Sequence, residues 1–191
     1  MILSDDAILD AIANSEIVIE PFDRTCLGGN SYDVHLSDIL LTYKSKLDKW
    51  YNPLPIDPRE EDPPMTEHTI GPDGFVLLPG VLYLGSTVEY TETHVHVPNL
   101  DGTSSAGRLG ISIHATAGRG DVGFRNHWTM EISCIQAVKV YAGMPIGQLT
   151  YNEVSGEVLN DYSRKAGSAY AGRPRNSKPQ PSRMWKKLRG K

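Results

Sequence analysis

A chain of 191 residues, 39% of them hydrophobic, is long enough for one domain whose core closes without disulfides or metal. Cys26 and Cys134 are too few and too far apart for a disulfide framework, and no run of about 18 apolar residues is present. The opening MILSDDAILDAI carries acids where a secretory leader needs a basic flank, so a cytoplasmic protein with two free thiols and no membrane partner is expected.

The net charge of −4 is unevenly spread. Residues 160–191 hold ten Lys and Arg against the single acid Asp161, while residues 1–159 hold nine basic and twenty-two acidic side chains. A tail of that sign is drawn to its own acidic body or to an anionic ligand. Nucleic acid is disfavoured as that ligand: aromatic residues are sparse in the tail, and no zinc-finger, RRM or KH signature accompanies it.

Along the chain, Ser4 followed by Asp5 and Asp6 reads as an N-cap with acids in the first turn, and Ile8, Leu9 and Ile12 share a face. One short helix is expected there. Ile17, Ile19, Val34 and Leu36 alternate with polar residues on either side of the turn sequence Cys26-Leu27-Gly28-Gly29-Asn30, which predicts strands. Residues 44–73 are polar and hold six prolines, predicting a long surface excursion.

From Phe75 onward short strands recur: Phe75 to Leu78, Val81 to Leu84, Val95 to Leu100, Leu109 to His114, His127 to Ile135, Val138 to Tyr141 and Gln148 to Tyr151. Many short strands bounded by Gly and Pro, with one helix at the start, predict an all-β fold, an antiparallel sandwich or distorted jelly-roll barrel. Residues 1–159 form that domain, and 160–191 read as an extended basic arm.

Three segments carry possible chemistry. In Gly102-Thr103-Ser104-Ser105-Ala106-Gly107-Arg108-Leu109-Gly110, hydroxyls between glycines and a nearby guanidinium can cradle a phosphate; a plain hairpin turn is the alternative. In His114-Ala115-Thr116-Ala117-Gly118-Arg119-Gly120-Asp121-Val122-Gly123-Phe124, three glycines let backbone close on a flat ligand; an ordinary loop is the alternative, and His114 reads as a polar-face strand residue. In Trp128-Thr129-Met130-Glu131-Ile132-Ser133-Cys134, alternation puts Trp128, Met130, Ile132 and Cys134 on one face and Glu131 on the other, where a cleft would make its carboxyl useful for proton transfer.

Taken together, MILSDDAI, Asn30-Ser31-Tyr32-Asp33-Val34, GTSSAGRLG, HATAGRGDVGF, TMEIS, Gly147-Gln148-Leu149 and Pro179-Gln180-Pro181-Ser182-Arg183 resemble the dCTP deaminase family of the dUTPase superfamily over nearly the whole chain. The resemblance implies a homotrimer with sites at subunit junctions, each closed by a C-terminal arm. It implies deamination of a deoxycytidine nucleotide, with Glu131 as general acid and base. Ser104, Arg108 and the carbonyl of Ala117 would hold the attacking water.

It further implies that Asp121 meets the sugar hydroxyl, that Phe124 lies beside the sugar, and that Gln148, Arg119 and Ser105 face phosphates. Thr116, Tyr162, Tyr170 and Arg173 complete the binding set, and Mg2+ is carried on the nucleotide phosphates. A zinc deaminase would need H-x-E and P-C-x-x-C, and neither occurs. Thr103, Ala169 and Arg173 stand where the family has Arg, Lys and Gln, implying either a rearranged phosphate grip or a changed substrate. Gly120 stands for a usual Ile, implying a looser loop. Gly118 resembles members that also hydrolyse dUTP to dUMP, and Arg119 resembles members that stop at dUTP. A dUTP pyrophosphatase without deaminase activity and a non-catalytic nucleotide binder are the alternatives.

Overall fold

The computed structural model describes residues 1–60, 63–116, 118–164, 170, 175 and 177–189. The chain opens with α1 (Asp5–Ala13), whose first turn is capped where Ala7 N donates to Ser4 Oγ at 3.3 Å. Ile8 and Ala11, one turn apart, are buried against the barrel, with Leu9 and Ile12 half-buried beside them. After it come β1 (Ile17–Glu20), a single 3-10 turn (Arg24–Cys26) and β2 (Tyr32–Tyr43).

The excursion after β2 is not wholly irregular. Its far end returns as β3 (Met65–Thr69), pairing antiparallel with Ile39 to Tyr43 of β2. The sequence hid this strand because its edge position leaves Thr66, Glu67 and Thr69 exposed, so there is no apolar alternation to read. Then follow β4 (Phe75–Leu77), β5 (Tyr83–Thr93), β6 (Val97–Gly102), α2 (Ser104–Arg108), β7 (Ile111–Ser112), β8 (Arg125–Cys134), β9 (Val138–Val140), β10 (Pro145–Asn152) and α3 (Met184–Arg189).

Eight strands form one antiparallel sheet in the order β6-β10-β2-β5-β8-β7, with β3 beside β2 and β1 beside β5; β4 and β9 make a separate two-stranded ladder. The large sheet curls into a nearly closed barrel, the predicted all-β class. Long strands change partners at bulges. β5 pairs with β8 at Ser86↔Thr129 and again at Tyr90↔His127, so β5 carries two more residues than β8 in that interval. The Thr87 hydroxyl accepts from Trp128 N at 3.0 Å and donates to Glu89 O at 2.8 Å, capping backbone groups the bulge frees from the ladder.

Inside lie Leu36, Leu40, Leu100, Met130, Ile132, Ile146 and Leu149, with Tyr32 and Tyr151 as the largest buried side chains. Both cysteines are free, and burial pushes each thiol above its ordinary pKa, which keeps them protonated and inert at neutral pH. No helix among the described residues is long and apolar enough to cross a membrane.

Three sequence expectations change. The Gly102–Gly110 segment is neither a hairpin turn nor a strand entry but the helix α2, with Leu109 as its C-cap, so the strand expected over Leu109 to His114 shrinks to Ile111–Ser112. β5 runs nine residues past the predicted Leu84, because its Thr and Glu side chains are buried with hydrogen-bond partners rather than exposed. The arm ends in a short helix, α3, instead of staying extended.

Candidate active site

Strand alternation places the chemistry. Trp128, Met130, Ile132 and Cys134 of β8 point into the core, as the sequence predicts, and Arg125, His127, Thr129 and Glu131 take the opposite face. That second face floors a cavity of about 260 Å³. Phe124 and Trp128 supply an aromatic wall, with ring centroids 4.5 Å apart and planes at 32°, and Tyr162 approaches Phe124 at 6.4 Å. Arg119, Gly120 and Asp121 close one side; Tyr170 and Gln180 of the arm close another. Glu131 is 32% exposed, and its Oε2 lies 3.1 Å from His114 Nδ1. A half-buried carboxyl facing a partly apolar cavity is placed for proton transfer to a bound ring.

The loop over the cavity is pinned to β6 and to the end of β5. Leu100 N donates to Gly118 O at 2.7 Å, Gly120 N donates to Pro98 O at 2.9 Å, and Gly123, at φ +88°, donates to Thr93 O at 2.9 Å. The expectation that Gly120 loosens the loop is therefore wrong. A Cβ there would stand 2.8 Å from Trp128 Cη2 and 2.9 Å from Pro98 Cγ, so the indole occupies the space an isoleucine would need. Gly120→Ile is expected to destabilise the fold by about 1–3 kcal/mol through overpacking. Adding Trp128→Val should recover part of that loss, a coupling that denaturant melts of the two single variants and the double variant will measure.

A second group of the sequence-derived residues lies elsewhere. Ser104, Ser105 and Arg108 sit exposed on α2, with Arg108 Nη1 3.4 Å from Ser104 Oγ. Thr103, the departure from the family's Arg, caps this helix: its Oγ1 accepts from Ala106 N at 3.2 Å. Gln148 lies on β10 between Asp33 of β2 and Asp101 of β6, and its Nε2 donates to Asp33 Oδ1 at 2.7 Å. Thr116 is exposed between β7 and β8. None of these six lines the Glu131 cavity. Ala117 and Arg173 lie outside the described residues, as does Ala169. Among the described residues no three His, Cys, Asp or Glu side chains are grouped to hold a metal ion.

The basic arm lies on its own acidic body. Arg175 pairs with Glu20 at 2.6 Å and stacks 4.3 Å over the Tyr90 ring, and Lys178 pairs with Glu67 at 3.0 Å. Ser86 Oγ donates to Ser177 O, Gln180 N donates to Thr129 Oγ1 at 3.0 Å, and Ser182 N donates to the Tyr43 hydroxyl at 3.0 Å. Exposed pairs of this kind are worth about 0–1 kcal/mol each. Burial, with the Glu92 carboxylate accepting its hydroxyl proton, pushes Tyr90 up to about 12, so the arm meets a neutral ring.

The sequence reading missed Arg125, His127, Trp128, Thr129, Asn126 and Gln180 as lining residues. Extending the β8 alternation back to Arg125 finds the first, second and fourth. Trp128 reaches the cavity from the core side only because Gly120 has no side chain. Burial pushes the His127 pKa below its ordinary value, outweighing the opposing effect of the Thr87 carbonyl 3.1 Å from its Nδ1, so the ring is neutral at pH 7.

Comparison with known proteins agrees with this architecture. A family described as dCTP deaminase-like matches residues 2–154. The chain is 42% identical over 187 residues to a "dCTP deaminase, dUMP-forming" of Clostridium acetobutylicum, covering 97% of this chain and 98% of that one. It is 42% identical over 186 residues to the protein of the same name from Leptospira biflexa, covering 97% of both chains. A crystal structure of 2'-deoxycytidine 5'-triphosphate deaminase from Agrobacterium tumefaciens superposes with a TM-score of 0.59 at 21% identity. It covers 83% of this chain and half of that longer chain, a likeness of fold. By matched length and by identity, the chain belongs to the dCTP deaminase-like family and is an enzyme of that class.

Proposed function

We propose that the protein removes the 4-amino group of dCTP by hydrolysis, without zinc, and carries the product on to dUMP and pyrophosphate. The observation that carries this reading is Glu131: a carboxyl on the polar face of β8, opening into a cavity walled by Phe124 and Trp128, in a chain so similar to dUMP-forming relatives. The balance is dCTP and water giving dUTP and ammonia, then dUTP and water giving dUMP and pyrophosphate.

In the first step Glu131 protonates cytosine N3 while water adds at C4. The same carboxyl then moves a proton from the added water to the departing amine. Ser104 and Arg108 polarise that water and steady the tetrahedral adduct, with the Ala117 carbonyl as a further acceptor. Asp121 takes the deoxyribose hydroxyl and Phe124 the sugar face. Gln148, Arg119 and Ser105 take the phosphates, whose negative charge is shared with Mg2+ belonging to the nucleotide rather than to a protein cage.

Because Ser104 and Arg108 do not reach the Glu131 cavity within one chain, the working site is completed by a neighbouring copy, in a trimer with cyclic symmetry. The arm already lies along the rim of the cavity through Gln180 and Tyr170, where it closes over a bound nucleotide. Incubation with dCTP and Mg2+, with ammonia, dUTP and pyrophosphate quantified separately, tests the reading. Equal yields of ammonia and pyrophosphate with no dUTP accumulating are expected. Accumulating dUTP would remove the second step, and pyrophosphate from dUTP without ammonia from dCTP would make the protein a pyrophosphatase instead.

A further inference from the structure

We propose that His114 is a positioning residue for Glu131, fixing which carboxyl oxygen carries the catalytic proton. The proposal rests on the reading of Glu131 as the proton-transfer group. His114 does not line the cavity; it stands behind Glu131, its side chain only 11% exposed, with Nδ1 3.1 Å from Glu131 Oε2. Its backbone is held where the Ser112 hydroxyl donates to His114 O at 3.1 Å. The loop lies over the ring: a Cβ on Gly118 would come 3.4 Å from His114 Cδ2, while its 2.6 Å approach to Leu100 O requires glycine there, so the loop backbone packs close to the imidazole.

The other ring nitrogen decides the consequence. His114 Nε2 is buried and has no hydrogen-bond partner among the described residues. A buried N–H left without an acceptor costs more than a bare nitrogen lone pair, so the neutral ring carries its proton on Nδ1 and donates it to Oε2. Oε2 is thereby committed as an acceptor. For Oε2 to carry the acid proton toward Nδ1, the ring would have to move its own proton onto the orphaned Nε2. The proton that Glu131 takes and gives is thus confined to Oε1, the oxygen left free of the imidazole. One carboxyl can then serve N3, water and amine in turn without rotating.

Three variants, made beside Glu131→Gln, test this. His114→Asn puts an amide N–H where Nδ1 stands, His114→Gln puts it where Nε2 stands, and His114→Leu keeps volume without a donor. Expected for His114→Leu and His114→Gln is a fall in kcat for ammonia release of about 10- to 100-fold with KM held within about two-fold. His114→Asn should stay within about five-fold of the parent. Parent-like kcat in His114→Gln, or His114→Asn falling as far as His114→Gln, overturns the proposal and leaves the ring as packing. A rise in KM alone overturns it too. The two polar variants keep the test standing if His114→Leu does not fold. If Glu131→Gln itself stays active, the reading of Glu131 fails and the proposal falls with it; if Glu131→Gln is inactive while His114→Gln is not, only the role of His114 is lost.

Discussion

Replacing Glu131 by Gln is expected to lower ammonia release from dCTP by about 10²- to 10⁴-fold, the range that general acid–base catalysis supplies. The substitution keeps shape and volume on the polar face of β8 and leaves the buried neighbours Met130 and Ile132 untouched, so the melting temperature should stay within about 2 °C. The amide still accepts from His114 Nδ1 through its oxygen, so the geometry survives while the proton carrier is gone. Stopped-time ammonia assays on parent and variant, with thermal melts alongside, measure both quantities. Wild-type turnover in Glu131→Gln would end the proposed mechanism, because no other carboxyl of comparable burial lines the cavity among the described residues: Asp121 is exposed at its rim.

The second large effect follows from the proposed division of the site between β8 of one copy and α2 of the next. Glu131→Gln and the double variant Ser104→Ala/Arg108→Ala are each expected to be inactive alone. Refolded together in equal amounts, they should regain about a quarter of parental turnover. In a cyclic trimer whose sites each draw Glu131 from one copy and Ser104 with Arg108 from the next, random mixing makes about one site in four whole. A site contained in one chain would regain nothing. The mixture's ammonia release, against each variant refolded by itself, reads out the difference without any structural assay.

The sequence carried the barrel class and the β8 faces because β8 alternates strictly and each of its inward positions is apolar. It lost β3 and most of β5 for opposite reasons. β3 is an exposed edge strand with no apolar signal, whereas β5 buries Thr87, Glu89, Thr91 and Thr93, residues that composition assigns to the surface. Their polar atoms are spent on the bulge and on Trp128, whose Nε1 donates to Thr91 Oγ1 at 3.0 Å, and on His35, which Glu89 meets at 2.6 Å. Local pattern cannot show partners that arrive from forty or fifty residues away.

The site was legible where it depends on side-chain type and opaque where it depends on volume exchange. Glu131, Asp121, Phe124, Tyr162 and Tyr170, all named from the resemblance, line one cavity. Gly120 was misread because its meaning lies in Trp128, eight residues on, which fills the vacated space. His114 was read as a strand residue of the polar face; the role proposed for it rests on an orphaned ring nitrogen, which only packing creates. Thr103, which looked like a lost phosphate contact, is the cap of α2.

The bulge in β5 also sets which insertions and deletions the gene can absorb. It adds two residues relative to β8, an even number, so Ser86 and Tyr90 stay on the face that carries the arm while Thr87, Glu89, Thr91 and Thr93 stay inward. Loss of one codon between Thr87 and Glu89 would leave a bulge of one extra residue, which can keep Tyr90 opposite His127 but gives up the paired hydrogen bonds of the Thr87 hydroxyl to Trp128 N and Glu89 O. Loss of two codons removes the bulge but keeps every later side chain on its own face. Length variation in this strand is therefore absorbed between Ser86 and Tyr90, where the ladder is already open.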